Sequence, residues 1–126
     1  MKIAFKKITA QPKEVSLELE GVRLSGELYR LDSTMLCLKG KLSGEIWLVC
    51  DYSGEEFKER LDNPLVLYIS DGFWDTQSQS KKLESFEVIE FFEGFVDLHY
   101  ILESEIESLR SDYHVKEEFR DRLQED

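Results

Sequence analysis

"TMLCLKGKLSGEIWLVC", residues 34–50, decides how the rest of the chain is read. It is a long extended run holding two glycines, Gly40 and Gly44. Glycine inside a strand often marks a bulge or sharp bend, which lets a sheet curl. Beyond Gly44, Ile46, Leu48 and Cys50 share one face by period two, with Trp47 and Val49 on the other. Both faces are apolar there, the pattern of a central strand. After a turn at Asp51–Gly54, "EEFKERLDNPLVLYI" folds back as the hairpin partner. Asn63-Pro64 marks a bend in it, before "LVLYIS" as a second strongly buried strand.

Upstream, "KIAFKKI" alternates only long enough for a short strand. In "EVSLELE", Val15, Leu17 and Leu19 face one way and Glu14, Ser16, Glu18 and Glu20 the other, a half-buried strand. Gly21 breaks it, "VRLSGELYRL" continues it, and Asp32-Ser33 supplies the next turn. Downstream, residues 71–85 are polar and rich in Ser and Gln after Trp74, which reads as a flexible surface loop. "FEVIEFFEGFVDL" resumes as strand. Asp97 is a good N-cap, and Leu98, Ile101, Leu102, Ile106 and Leu109 then recur on one helical face. Val115, Phe119 and Leu123 allow another helix in the tail.

These elements predict an α+β fold: an antiparallel, strongly curved or barrel-like sheet of about five or six strands, followed by one or two C-terminal helices. With 126 residues the chain reads as a single domain, 1–126. Residues 1–70 are mainly strands, 71–85 the loop, and 86–126 a strand, a helix and an acidic tail. A chain of this size buries roughly two-thirds of its unfolded surface, enough for one core without staples. The start has no continuous apolar segment of the signal-peptide kind, and no run is long enough to cross a bilayer. The expected location is the cytoplasm, with no membrane partner.

The net charge of −11 is unevenly placed. Residues 1–83 carry 13 acidic and 12 basic side chains, whereas residues 84–126 carry 14 acidic and 4 basic ones. An acidic field repels phosphate, so direct nucleic-acid binding is expected to be weak or absent, with Lys6, Lys7, Lys39 and Lys41 as candidates for any that occurs. The same field attracts a basic protein, or simply keeps the chain soluble.

Chemistry-bearing motifs are scarce. A zinc site needs about four nitrogen or sulfur ligands. Cys37, Cys50, His99 and His114 are scattered, and Ser53 stands where a second cysteine would complete Cys-x-x-Cys. No Gly-x-Ser-x-Gly or phosphate loop occurs. No enzyme activity, metal or cofactor is therefore expected. Phe91, Phe92 and Phe95 are either core packing or an apolar anchor rimmed by Glu90 and Glu93, and aromatic anchors are common interface hot spots. Phe73 and Trp74 open the loop and offer a second such anchor, or cap the sheet edge. Glu103, Glu105 and Glu107 lie mostly outside the helix's apolar stripe and supply acidic charge along it.

Two stretches carry a family resemblance. "GEIWLVCDYSGEEF" places Cys50 and Asp51 at a strand end, and "GFVDLHYILESEIESL" opens a helix with Asp97 and Leu98. In order and spacing they resemble the YceD family of bacterial large-subunit ribosomal RNA accumulation proteins, loosely over residues 40–110. In that family a Cys-x-x-Cys-like turn ends the strand, and Ser53 replaces its second cysteine here. The resemblance implies a non-enzymatic ribosome biogenesis factor supporting accumulation of 23S ribosomal RNA. Its expected partner is a basic ribosomal protein or a pre-ribosomal particle. The alternatives are a general acidic protein-interaction adaptor and a small-molecule-binding protein. The sequence sets no oligomeric state.

Overall fold

The computed structural model describes residues 1–72 and 88–112. In chain order these form β1 (Lys2–Ala4), a short 3-10 turn (Phe5–Lys7), β2 (Lys13–Leu19), β3 (Val22–Arg30), β4 (Met35–Val49), β5 (Glu56–Asp71), β6 (Val88–Phe91), β7 (Phe95–Asp97) and α1 (Leu98–Ser111). The fold is α+β, as the periodicity predicts. A five-stranded sheet runs β2-β3-β4-β5-β6, and β1 pairs separately with β7.

Two parts of the expected architecture are corrected. The sheet is mixed rather than antiparallel, because β6 lies parallel to β5, with Tyr68 opposite Val88 and Asp71 opposite Phe91. The sheet is also open: β2 and β6 are its edges, so no barrel closes. Alternation within a strand reveals which residues share a face but carries no information on strand direction. The second helix and most of the 71–85 loop lie outside the described residues.

The long β4–β5 hairpin organises the molecule. Its register is continuous from Met35 opposite Ser70 to Val49 opposite Glu56. β5 runs as one strand through Asn63 and Pro64. Pro64 lacks an N–H, which is tolerated because β6 pairs with β5 only from Tyr68 onward. Where β3 crosses β4, Gly26 lies opposite Gly40. A Cβ on Gly40 would run into the Ser25 carbonyl oxygen and come within 2.6 Å of the Gly26 Cα, so both positions exclude side chains and let the strands bend closely. Gly44 takes a φ of +104° where β4 meets the end of β3.

The core sits on one face of this sheet. Leu24 and Leu28 of β3, Leu36 and Leu38 of β4, and Leu67 and Ile69 of β5 belong to one cluster with Leu98, Ile101, Leu102 and Ile106 of α1. Asp97 caps the helix, its Oδ1 accepting the Tyr100 N–H at 3.2 Å. Arg30 fastens the N-terminal segment to the sheet. Its guanidinium donates to the carbonyls of Phe5 (2.6 Å), Ile8 (2.8 Å), Asp32 (3.2 Å) and Ser33 (3.1 Å).

The reading of Ile46–Val49 as a two-faced central strand is also corrected. Ile46 and Leu48 are buried, but Trp47 and Val49 are 58% and 54% exposed. β3 pairs with β4 only as far as Val22 opposite Gly44. Beyond that point β4 and β5 continue as a two-stranded ribbon with one open face. Among the described residues no helix is long and apolar enough to cross a membrane.

Candidate functional site

The aromatic segment near residue 92 is built by a sharp change of direction between β6 and β7. The Phe5 N–H donates to the Gly94 carbonyl at 3.0 Å and the Gly72 N–H to the Phe91 carbonyl at 2.8 Å, which pins both sides of the bend. The three phenylalanines then take different positions. Phe91 is half-buried, packs against the core and meets Tyr100 edge to face, with ring centroids 5.9 Å apart. Phe92 and Phe95 stand 63% and 47% exposed. Tyr100, in the first turn of α1, is exposed beside Phe91.

Lys2, Glu90, Phe91, Phe92, Glu93, Phe95 and Asp97 line one concavity of about 250 Å³. Apolar rings line it and three carboxylates rim it, with Lys2 the only cation among the lining residues. Lys2 lies opposite Asp97 in the β1–β7 pair, so part of that charge is locally offset. Such a site suits an apolar side chain carried by a basic segment, where the rings supply burial and the carboxylates supply steering.

The structure brings Glu90, Phe91, Phe92 and Glu93 together and separates the helical glutamates. Glu103 and Glu107 lie one turn apart on the exposed face of α1, and Glu103 pairs with His99 Nδ1 at 3.3 Å. Glu105 sits about 160° round the helix from both. It is half-buried, within the arc of the apolar residues. The three glutamates therefore do not form one acidic stripe. Phe73 and Trp74 lie outside the described residues. Phe95, which the sequence already grouped with Phe91 and Phe92, lines the concavity with them, and Lys2 joins it without having been singled out from sequence.

The family-marker residues have structural roles. Cys50 is buried and closes the β4–β5 turn, its N–H donating to the Glu55 carbonyl at 2.8 Å and its carbonyl accepting the Gly54 N–H at 2.7 Å. Ser53 accepts the Glu55 N–H on its Oγ at 3.3 Å, so it shapes the turn. Asp51 is exposed in that turn. Asp97 is the helix cap and Leu98 is fully buried beneath it. Among the described residues no three His, Cys, Asp or Glu side chains converge as a metal site.

Cys37 lies on the face opposite the main core, between Tyr29 of β3 and Tyr68 of β5. The Tyr29 phenol is pushed up to about 12, first by its hydrogen bond with the Cys37 thiol and then by loss of solvent. The lysines of the first half do not gather into a nucleic-acid site. Lys6 and Lys7 lie in the 3-10 turn, while Lys39 and Lys41 are on β4, with Lys39 opposite Glu27. The chain matches no family model, no curated protein and no solved structure.

Proposed function

We propose that this chain is a non-enzymatic binding protein of ribosome biogenesis, supporting accumulation of large-subunit ribosomal RNA in the cytoplasm. Its partner is a basic ribosomal protein, free or within a pre-ribosomal particle, taken by an apolar side chain in the concavity of Phe91, Phe92 and Phe95. The observation that carries this reading is the exposure of Phe92 and Phe95 among Glu90, Glu93 and Asp97 in one depression. Exposed aromatic rings cost solvation and are usual where a partner covers them. The resemblance of residues 40–110 to the YceD family supplies the ribosomal context, and the acidic balance of residues 84–126 supports a basic partner.

The reading is tested by affinity purification from growing cells, followed by titration of the recovered partner. A basic ribosomal protein or pre-ribosomal particle should be retained and should dissociate at high salt. Replacing Phe92 and Phe95 together by alanine should weaken binding by about 30-fold or more. Glu90→Lys with Glu93→Lys should slow association and flatten its salt dependence. Equal affinity for unrelated basic proteins would leave a general acidic adaptor. A preparation carrying only a small metabolite would overturn the reading.

A further inference from the structure

A second surface lies at the other end of the β4–β5 hairpin, away from the aromatic concavity. Past Gly44 the ribbon exposes Trp47, and Lys58 directly opposite it holds its ammonium 5.4 Å from the ring centroid. An indole 58% exposed, with one face braced by a cation, is a projecting knob. Beside it, where β3 stops, lies a shallow depression of about 740 Å³ lined by Lys41, Ser43, Gly44, Glu45, Arg60 and Asp62. At about 3.3 Å per residue, the ring and the middle of the depression are separated by roughly 13 Å along the strand. Knob and depression therefore share one face.

The charges on this face balance. Lys41, Lys58 and Arg60 stand against Glu45, Glu56 and Asp62, while the whole chain carries −11. Two copies of so acidic a protein repel each other over most approaches. This patch presents equal numbers of both signs around Trp47 and Val49. An isologous interface must be complementary to itself: whatever residue i meets on its partner, the partner's copy of i meets here. A knob beside a depression of mixed charge has that property, whereas a patch of one sign does not.

We propose that this chain self-associates as a two-fold dimer through the outer face of the β4–β5 ribbon. Trp47 of each copy enters the depression of the other, and Lys58 and Arg60 face Glu45 and Asp62 across the axis, Lys58 exchanging the Glu45 of its own chain, 4.0 Å away, for that of the second copy. The patch is small, so the dimer is a reversible one whose population follows protein concentration. It leaves the concavity of Phe92 and Phe95 open, so each dimer offers two basic-partner sites.

Sedimentation velocity of the full chain from micromolar to millimolar concentration tests this. The weight-average mass should climb toward twice the monomer mass. Trp47→Ala should weaken association by about 30-fold or more with an unchanged far-UV spectrum, since the side chain is at the surface. A variant carrying Lys58→Glu and Arg60→Glu and one carrying Glu45→Lys and Asp62→Lys should each stay monomeric, and their mixture should recover the dimer. A chain monomeric at every concentration overturns the proposal. So does a dimer indifferent to Trp47→Ala, or one that the charge-swapped mixture fails to restore. Binding of a basic partner at Phe92 and Phe95 should survive Trp47→Ala, so the two surfaces fail or stand separately.

Discussion

Met35–Leu38 and Ile46–Val49 are two apolar runs on the same strand with opposite fates. In the first, Met35, Leu36 and Leu38 are fully buried and Cys37 nearly so. In the second, Ile46 and Leu48 are buried while Trp47 and Val49 face solvent. Composition does not separate them, but sheet position does. At the first run β4 lies between β3 and β5, and β6 continues the sheet beyond β5. At the second, β3 has ended and the ribbon is covered on one face only. The lesson is that apolar character on both faces of a strand marks burial or an interface, and strand extent decides which.

The sharpest way to break this comparison is truncation at the two ends. Leu38→Ala should cost about 2–5 kcal/mol in urea unfolding, because the void cannot collapse in a closely packed core. A cost below about 1 kcal/mol there would mean the first end is less tightly packed than described. Gly40→Ala tests the bend between the ends. Its Cβ meets backbone, not a movable side chain, so destabilisation of about 3 kcal/mol is expected. Wild-type stability would show that β3 and β4 separate easily.

Arg30→Ala should cost about 2 kcal/mol by stranding the carbonyls of Phe5 and Ile8, with Arg30→Lys recovering only part. Hydrogen exchange should then quicken in β1 and at its pairing with β7, while the distal ribbon stays protected. A uniform change would remove Arg30 as a local fastening.

Tyr29→Phe gives a smaller, pH-dependent effect. The folded phenol titrates near 12, above its ordinary value of 10. Its contribution is therefore fully present below pH 10 and is lost as pH rises through 12. The wild-type chain should lose stability across that window relative to Tyr29→Phe. Parallel curves would show that the hydrogen bond to Cys37 is not protecting the phenol. At the foot of the scale, Trp47→Ala should change stability by less than about 0.5 kcal/mol, since the side chain is 58% exposed. A large loss would mean the ribbon depends on the indole for its own fold.

Much of the strand layout was legible because period two is a local property. The alternation of Val15, Leu17 and Leu19, and the three- and four-residue steps from Leu98 to Leu109, each follow from one surface being buried. The Asp97 cap was legible for the same reason, since the capping oxygen and the N–H it accepts lie three residues apart. Half of the candidate site was legible too, because Glu90 to Glu93 are contiguous. Lys2 was not, for it reaches the concavity only through the β1–β7 pairing across most of the chain. Glu105 was misplaced with Glu103 and Glu107 because acidic composition ignores the turn of the helix.

By itself, then, the sequence determined the strand periods, the capped helix, the acidic balance and the turn after Cys50. Only the tertiary structure decided that β6 runs parallel to β5, that the sheet stays open, and that Trp47 and Phe92 reach solvent while their apolar neighbours do not. The physical reason is that periodicity records which residues share a face. Whether that face is covered depends on where the neighbouring strands and the helix end.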